Sequence, residues 1–416
     1  MSRNIKRRNV AVVFQRLGPY HFARLRAAGD VLQTTAIETL SVDDTYAWDI
    51  VPGTDGFRRI TLFDEVDTRS RSVREIARRA WSALNEVRPE VVIVSGWSLK
   101  EALIALHWCA EFRAPAVLMS ETTEWDDVRL PWKEWVKSRM VRLCSAGLVG
   151  GAPHVEYLTA LGMDHDRIFV GYDIVDNNYF AAKAQEVRNR RADFRKQYGL
   201  PDRYFLASAR FVRKKNLRRL IQAYGHYRRL AGADQSGKQS AINLPWDLVL
   251  MGDGPFRPEL CQLISDLGLQ HSVLLPGFRQ YVDLPAYYGL ASAFIHASTT
   301  EQWGLVVNEA MASDLPVLVS DRCGCARDLV REGVNGFTFD PYNVQQMAEL
   351  MLRMANGATG EIALKKMGDA SHEIIRPWGP ERFAQGLQAA VETALQHPRP
   401  QIELLDRVLL RGLIYK

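Results

Sequence analysis

Nowhere in the 416 residues do eighteen apolar residues run together, so no stretch has the length of a membrane-spanning helix. Cysteine is scarce and odd in number. The five residues Cys109, Cys144, Cys261, Cys323 and Cys325 mostly lie inside apolar runs, which argues against a disulfide framework and for a reducing compartment. Cys323 and Cys325 have no second ligand pair near them in sequence, so no metal is expected there. Charge of one sign is not concentrated either. A net charge of +5 suits an anionic ligand, a membrane surface or simply a basic exterior, and falls short of the clustered charge of a nucleic-acid binder.

Two familiar motifs are incomplete. Gly252 and Gly254 lack the third glycine of a dinucleotide fingerprint, because Arg257 holds its place. The single Asp-x-Asp, Asp164 with Asp166, falls in a helix-to-strand turn and reads as a turn or cap rather than a metal ligand pair. At the N-terminus, basic residues precede an apolar run, but Val10 to Phe14 is only a strand long and no small-residue cleavage site follows. The expected location is therefore the cytoplasm.

What is present is an ordinary globular composition, 47% hydrophobic and 24% charged, in a chain long enough for two domain cores. Short apolar runs read as buried strands at Val10–Phe14, Val91–Val94, Ala116–Met119, Tyr204–Ala209 and Trp246–Met251, with helical patterns between them. That alternation predicts an α/β chain with parallel sheets. The charged stretch from Ala181 to Arg203 reads as a linker or surface helix between domains. Ser70 to Asn85 reads as a helix whose Arg69, Arg71, Arg74, Arg78 and Arg79 form a solvated face, with anionic lipid contact as the second reading. Arg129 to Arg142 reads as a helix with Trp132 and Trp135 packed into a core, with docking to an acceptor or membrane second.

The richest stretch is Phe294 to Ser320. A buried strand empties into the loop Ser298–Gln302, a helix starts at Gly304, and a second buried strand follows from Leu315. Ligands collect beyond the carboxyl ends of such strands. Backbone N–H groups around Gly304, Leu305 and Val306 suit an anion at a helix start, and Gly304 lets it approach closely. Glu301 in the loop and Glu309 in the helix are poor phosphate ligands but good acceptors for sugar hydroxyls on either side of a diphosphate. A nucleotide sugar has that shape.

Glu301-x7-Glu309 running into Ala310-Met311-Ala312-Ser313 and then Pro316-Val317 resembles the retaining glycosyltransferases of family 4. The resemblance implies the GT-B fold, two Rossmann-like domains facing a cleft: residues 1–180 on the acceptor side, completed by 379–416, and 181–378 binding the nucleotide sugar. It implies that Glu301 holds the donor sugar and Glu309 the ribose. Arg210 and Lys215 match the spacing of the family's two cations, both aimed at the donor diphosphate. Gly252 belongs to a Gly-Asp-Gly-Pro turn that lines the nucleotide site in relatives, and Phe278 to the segment that meets the base, with buried core as its competing reading. Gly18 and His21 follow the first strand, where relatives face the cleft on the acceptor side, which implies that His21 contacts the acceptor or the donor phosphate; it reads equally as a helix N-terminal residue. Many relatives carry a histidine at the strand end after Met119, and here Ser120 and Glu121 stand instead. Glu121 is the candidate for acceptor contact or proton transfer, or else a turn cap or a partner of Arg129.

The implied activity is transfer of a hexosyl group, with retention, from a UDP- or GDP-linked sugar to a glycan or glycolipid acceptor in polysaccharide or glycolipid biosynthesis. No cofactor or metal is expected, since cations are built into the chain, and no nucleic acid. Peripheral contact at the inner face of a membrane is compatible with the basic helices. A GT-B-type epimerase or phosphorylase is the alternative, and a basic binding protein without catalysis stands third.

Overall fold

The computed structural model describes residues 7–41, 53–63, 71–233, 245–356, 360–397 and 402–416. The chain divides into two compact units, Met1–Val175 with Trp378–Lys416, and Asp176–Pro377.

The first unit alternates β1 (Asn9–Phe14), α1 (Pro19–Val31), β2 (Gln33–Leu40), β3 (Arg58–Phe63), α2 (Val73–Val87), β4 (Val91–Ser95), α3 (Lys100–Phe112), β5 (Ala116–Ser120), α4 (Pro131–Val141), β6 (Ala146–Val149), α5 (Ala152–Ala160) and β7 (Ile168–Val170). The second holds α6 (Asn177–Asn189), α7 (Arg191–Tyr198), β8 (Tyr204–Ser208), α8 (Leu217–Ala233), β9 (Asp247–Met251), α9 (Arg257–Asp266), β10 (Val273–Gly277), α10 (Leu284–Leu290), β11 (Ala293–His296), α11 (Leu305–Ala312), β12 (Val317–Ser320), α12 (Ala326–Leu329), β13 (Gly336–Phe339), α13 (Val344–Asn356) and α14 (Gly360–Ile375). The chain then returns to the first unit with α15 (Pro380–Gln396) and α16 (Leu404–Tyr415).

Every strand pair is parallel, in the orders β3-β2-β1-β4-β5-β6-β7 and β10-β9-β8-β11-β12-β13. Parallel strands need long crossovers, so helices cover both faces and the central strands are mostly apolar, with polar residues only at their ends. Val10, Ala11 and Val12 in β1 and Val91 to Val94 in β4 are fully buried. One face of the first sheet packs against Leu103, Leu106 and Trp108 of α3, and Leu410 and Ile414 of α16 join the same core. Its other face packs Leu25 and Ala28 of α1 with Phe383, Leu387 and Val391 of α15, so the chain's last long helix completes its first core. In the second unit Phe205, Leu248, Ile295 and Leu318 of the sheet pack with Leu220, Tyr224 and Tyr227 of α8 and Met347 of α13.

Three sequence expectations change. Of the two readings of residues 181–203 the helix holds and the linker does not, and the helix is not wholly superficial: α6 packs on α10 and buries Ala184 and Val187, whereas α7 buries nothing. In the basic stripe, helix α2 starts only at Val73, because the Ser72 side chain accepts the Glu75 N–H as its cap. The guanidinium groups of Arg71 and Arg79 fold onto the Phe63 ring, each 4.3 Å from its centroid, so that face is partly packed; Arg69 lies outside the described residues. Trp132 and Trp135 are 61% and 48% exposed rather than in a core, because α4 buries only its last turn, Arg139 to Val141.

Both sheets have a central pair of strands from which successive connections diverge, β1 with β4 and β8 with β11. The carboxyl ends of such a pair are where an open α/β sheet leaves room for a ligand.

Candidate functional site

The loops leaving β8 and β11 emerge side by side and are fastened together. Phe211 N–H donates to Asp253 O at 2.7 Å, tying the β8 loop to the β9 loop. Arg213 to Lys215 make one tight turn, which Asn216 ends in the left-handed region at φ 57° before α8. The buried Asn216 amide donates to Ala297 O at 3.0 Å and Pro341 O at 2.7 Å, and Thr299 N–H donates to Lys214 O at 2.9 Å. This stitching carries the Lys215 ammonium onto the Glu301 carboxylate, 86 residues away in sequence.

Two groups complete the cluster. The Ser298 hydroxyl donates to Glu301 Oε2 at 3.2 Å, and His296 Nε2 lies 3.2 Å from the same oxygen. Burial alone would raise the Glu301 carboxyl, but the Lys215 ammonium with His296 outweighs it and holds the acid well below the usual carboxylate range. Burial lowers His296, against the pull of Glu301, so the imidazole is neutral at pH 7 and meets the carboxylate through a protonated Nε2. Sequence reasoning passed over His296. Its only signal was a histidine ending an apolar strand.

Glu301 N–H donates to Arg322 O and its carbonyl accepts from Gly324 N–H, so the loop is also anchored to the β12 end. Gly304 then takes φ 105°, ψ 61°, a conformation open to glycine, and α11 begins. The N–H groups of Leu305 and Val306, at the first turn, have no acceptor within their own helix. Val307 N–H returns to Gly304 O. Glu309 is buried, 1% exposed, and its Oε2 accepts a 2.6 Å hydrogen bond from the Tyr288 hydroxyl.

The other second-unit candidates lie on the same edge of the sheet. Arg210 is exposed two residues beyond β8. Gly252 follows β9 at φ 131°, and a Cβ there would stand 1.9 Å from Ala209 O, so the two loops can approach only over glycine. Phe278 follows β10 and is 39% exposed, which sets aside the buried-core reading of it.

In the first unit Gly18 N–H donates to His21 Nδ1 at 3.0 Å, capping α1. The ring sits edge-on to Phe14, and burial, helped by Arg24, takes its pKa down to about 3. Gly151 and His154 repeat the arrangement at α5 with a 3.1 Å bond. Glu121 does not take Arg129 as the sequence allowed. Arg129 binds Asp126 and the carbonyls of Thr123 and Glu124. Burial raises the Asp173 carboxyl and the nearby charge of Glu121 raises it further; sequence reasoning gave Asp173 no role. Asp164 accepts from Arg167 in the expected turn. Among the described residues no group of three His, Cys, Asp or Glu side chains is placed to hold a metal ion.

Residues 190–371 match the family described as glycosyl transferases group 1. The match covers the second unit almost entirely, and with it Arg210, Lys215, Glu301 and Glu309. The α-D-kanosaminyltransferase of Streptomyces kanamyceticus is 30% identical over 212 residues, which is 47% of this chain and 52% of that protein. The α-monoglucosyldiacylglycerol synthase of Acholeplasma laidlawii is 37% identical over 93 residues, 22% of this chain and 23% of the relative. The chain thus spans about half of the first relative and less of the second. HepE from Anabaena, solved with UDP, superimposes with a TM-score of 0.65 over 91% of this chain and 98% of its own, at 18% identity. That likeness shows the fold, two parallel-sheet Rossmann-like units as in GT-B glycosyltransferases. Taken together the comparisons support glycosyl transfer.

Proposed function

We propose that the protein is a retaining glycosyltransferase that takes a sugar from a nucleoside-diphosphate donor held by the second unit and passes it to a hydroxyl of a glycan or glycolipid. The observation that carries this reading is the Lys215–Glu301 ion pair, backed by His296 and set beside the α11 N-terminus at the central strand pair of the sheet.

In the proposed step the bond between the anomeric carbon and the phosphate oxygen breaks, and its electron pair stays on the leaving diphosphate. Arg210, Lys215 and the Leu305 and Val306 N–H groups stabilise that charge, which is the largest contribution a preorganised site makes. The acceptor oxygen bonds to the anomeric carbon on the face the diphosphate leaves, and the hydroxyl proton passes to the departing phosphate oxygen. Configuration is thereby retained. Glu301, anionic and fixed, accepts donor-sugar hydroxyls, and Glu309 with Tyr288 accepts the ribose. Because the cations belong to the chain, we propose that transfer needs no metal. Exposed Trp132 and Trp135 on α4, with Lys133 beside the Trp132 ring, fit a peripheral contact with a membrane that supplies a glycolipid acceptor.

The test is a panel of UDP- and GDP-sugars with and without glycan and glycolipid acceptors, in excess chelator, with the product anomer read by NMR. Transfer with retention in chelator is expected, and Lys215→Ala should lower it about a hundred- to a thousandfold, with a lower melting temperature because the buried Glu301 carboxylate loses its counter-ion. Donor conversion to an epimer without acceptor, or turnover that requires inorganic phosphate, would replace this reading with the epimerase or phosphorylase.

A further inference from the structure

Three side chains of the second unit put their donors on a single oxygen of Glu301. Lys215 Nζ, His296 Nε2 and the Ser298 hydroxyl all meet Oε2, the last two at 3.2 Å each. Among the described residues nothing donates to Oε1, and that atom reaches solvent. The donors are also braced against one another, since Ser298 Oγ lies 3.2 Å from His296 Nε2. His296 and Ser298 are 3% and 0% exposed, so both are closed off from solvent.

A carboxylate only accepts hydrogen bonds, so the imidazole nitrogen facing it carries the proton and shares it between Oε2 and Ser298 Oγ. The hydroxyl proton in turn points at Oε2. Strand β11 fixes where these donors start: His296 is its last residue, its ring stacked at 13° on Phe294 with centroids 6.3 Å apart, and Ser298 follows two residues on. Balancing the charge of Glu301 needs Lys215 alone. Two further neutral donors on the same oxygen add direction, because the carboxylate end of a glutamate turns easily about its last bond and three donors on one oxygen remove that freedom. What remains is one acceptor, Oε1, with a fixed aim. The ammonium has three N–H donors and one is engaged here, so the others stay available to a diphosphate.

We infer that His296 and Ser298 are positioning residues that hold Glu301 Oε2, so that Oε1 is the one oxygen offered to the donor sugar and selects a hydroxyl in a single orientation. This rests on the glycosyl-transfer reading and adds to it what sets the choice of sugar. An acceptor fixed in direction takes a hydroxyl from one side only, and a sugar whose hydroxyl there is inverted or missing leaves Oε1 without a donor. A carboxylate free to turn would take either epimer. His296 therefore bears on which sugar is transferred without touching it. No proton moves: the imidazole and the Ser298 hydroxyl keep theirs while the glycosyl–phosphate bond breaks.

The experiment takes the UDP- or GDP-sugar that the full chain turns over, with its epimers and deoxy analogues, and measures kcat, KM and binding of free UDP or GDP. The parent is compared with His296→Phe, His296→Gln and Ser298→Ala, melting temperatures alongside. Phe keeps a ring on Phe294 and removes the donor, whereas Gln gives up the ring and brings an N–H near the place of Nε2. Hydrogen bonding therefore puts Gln above Phe in activity, and packing alone puts Phe above Gln. His296→Phe should lower kcat about ten- to a hundredfold, the usual worth of a hydrogen bond to a charged group, and cut the preference for the donor over its epimer by a similar factor. Affinity for free UDP or GDP should stay within about twofold, and His296→Gln should recover most of both losses. Ser298→Ala should show the same two effects at about three- to tenfold, and it decides alone where His296→Phe does not fold. If the parent is active and these variants keep its kcat and its epimer preference, or if Phe outperforms Gln, the inference falls and glycosyl transfer stands. A parent that neither transfers nor hydrolyses any nucleotide sugar overturns both.

Discussion

At the scale of single residues, the two glutamates of the Glu-x7-Glu stretch are in unlike surroundings. Glu301 faces Lys215, His296 and Ser298, and Glu309 is enclosed with Tyr288. Ribose contacts are the same in ground and transition states, whereas donor-sugar contacts tighten as the bond breaks. Glu309→Ala should therefore weaken binding of the free nucleoside diphosphate about tenfold or more, and Glu301→Gln should chiefly lower kcat. Calorimetric titration decides it: parental affinity in Glu309→Ala would remove the ribose role. Tyr288→Phe serves as the control for packing, since it removes only the hydroxyl on Glu309.

Acid stability belongs to this scale too. His21, with a pKa near 3, and His296, also lowered, stay neutral in the fold, while the unfolded chain protonates both near pH 6.5. Glu301 is depressed, so its unfolded form takes a proton first, near pH 4.3. In each case the unfolded state binds more protons as pH falls. Stability should be fully present above about pH 6.5 and fall from there toward pH 3, with Glu301 adding its loss below about pH 4.3. His21→Ala should flatten the upper part of that limb in urea titrations. Asp173 works in the opposite sense: its raised pKa lets the folded chain keep a proton that the unfolded chain releases, so its contribution declines as pH rises.

At the scale of elements, helix starts do most of the positioning. Helices α1 and α5 begin with the same device, a glycine N–H donated to the Nδ1 of a histidine three residues on. His21→Ala and His154→Ala should each destabilise by about 1 kcal/mol, the usual cost of a lost cap. A His21 that also touches substrate would lose transfer beyond that loss, and His154→Ala provides the comparison. Helix α11 starts from a glycine at positive φ, which a side chain adopts only under strain. Gly304→Ala is expected to cost about 1 kcal/mol in unfolding free energy and to weaken diphosphate binding, because the Leu305 and Val306 N–H groups turn with the backbone.

At the scale of the whole molecule, α15 is sequence-distant from the core it closes. Its Phe383, Leu387 and Val391 are buried with α1 and the first sheet, and Arg139 of α4 holds α16 through Asp406 at 2.7 Å. A chain cut after Pro377 should expose that face and lose protection of α1 in hydrogen exchange while β8 to β13 stay protected. Unchanged exchange in α1 would show the first core closed without α15. Much of this architecture was legible beforehand, because a parallel strand buried on both faces leaves a short apolar run in the sequence, and Val10–Phe14, Val91–Val94 and Ala116–Met119 fall within or match β1, β4 and β5. The Trp132 and Trp135 face was misjudged because apolar spacing states that a face exists and not whether another element covers it.

By itself the sequence determined the α/β class, the strand–loop–helix–strand unit around Glu301 and Glu309, and the candidate cations Arg210 and Lys215, because each is written in residues close along the chain. Only the tertiary structure decided that Lys215 meets Glu301, that His296 backs the pair, that Tyr288 covers Glu309, and that Arg129 pairs with Asp126 rather than Glu121. Those contacts depend on which strands lie side by side. Local periodicity fixes each strand's faces and leaves its neighbours to the packing of the whole sheet, which here sets β11 against β8 and brings residues 86 apart into one ion pair.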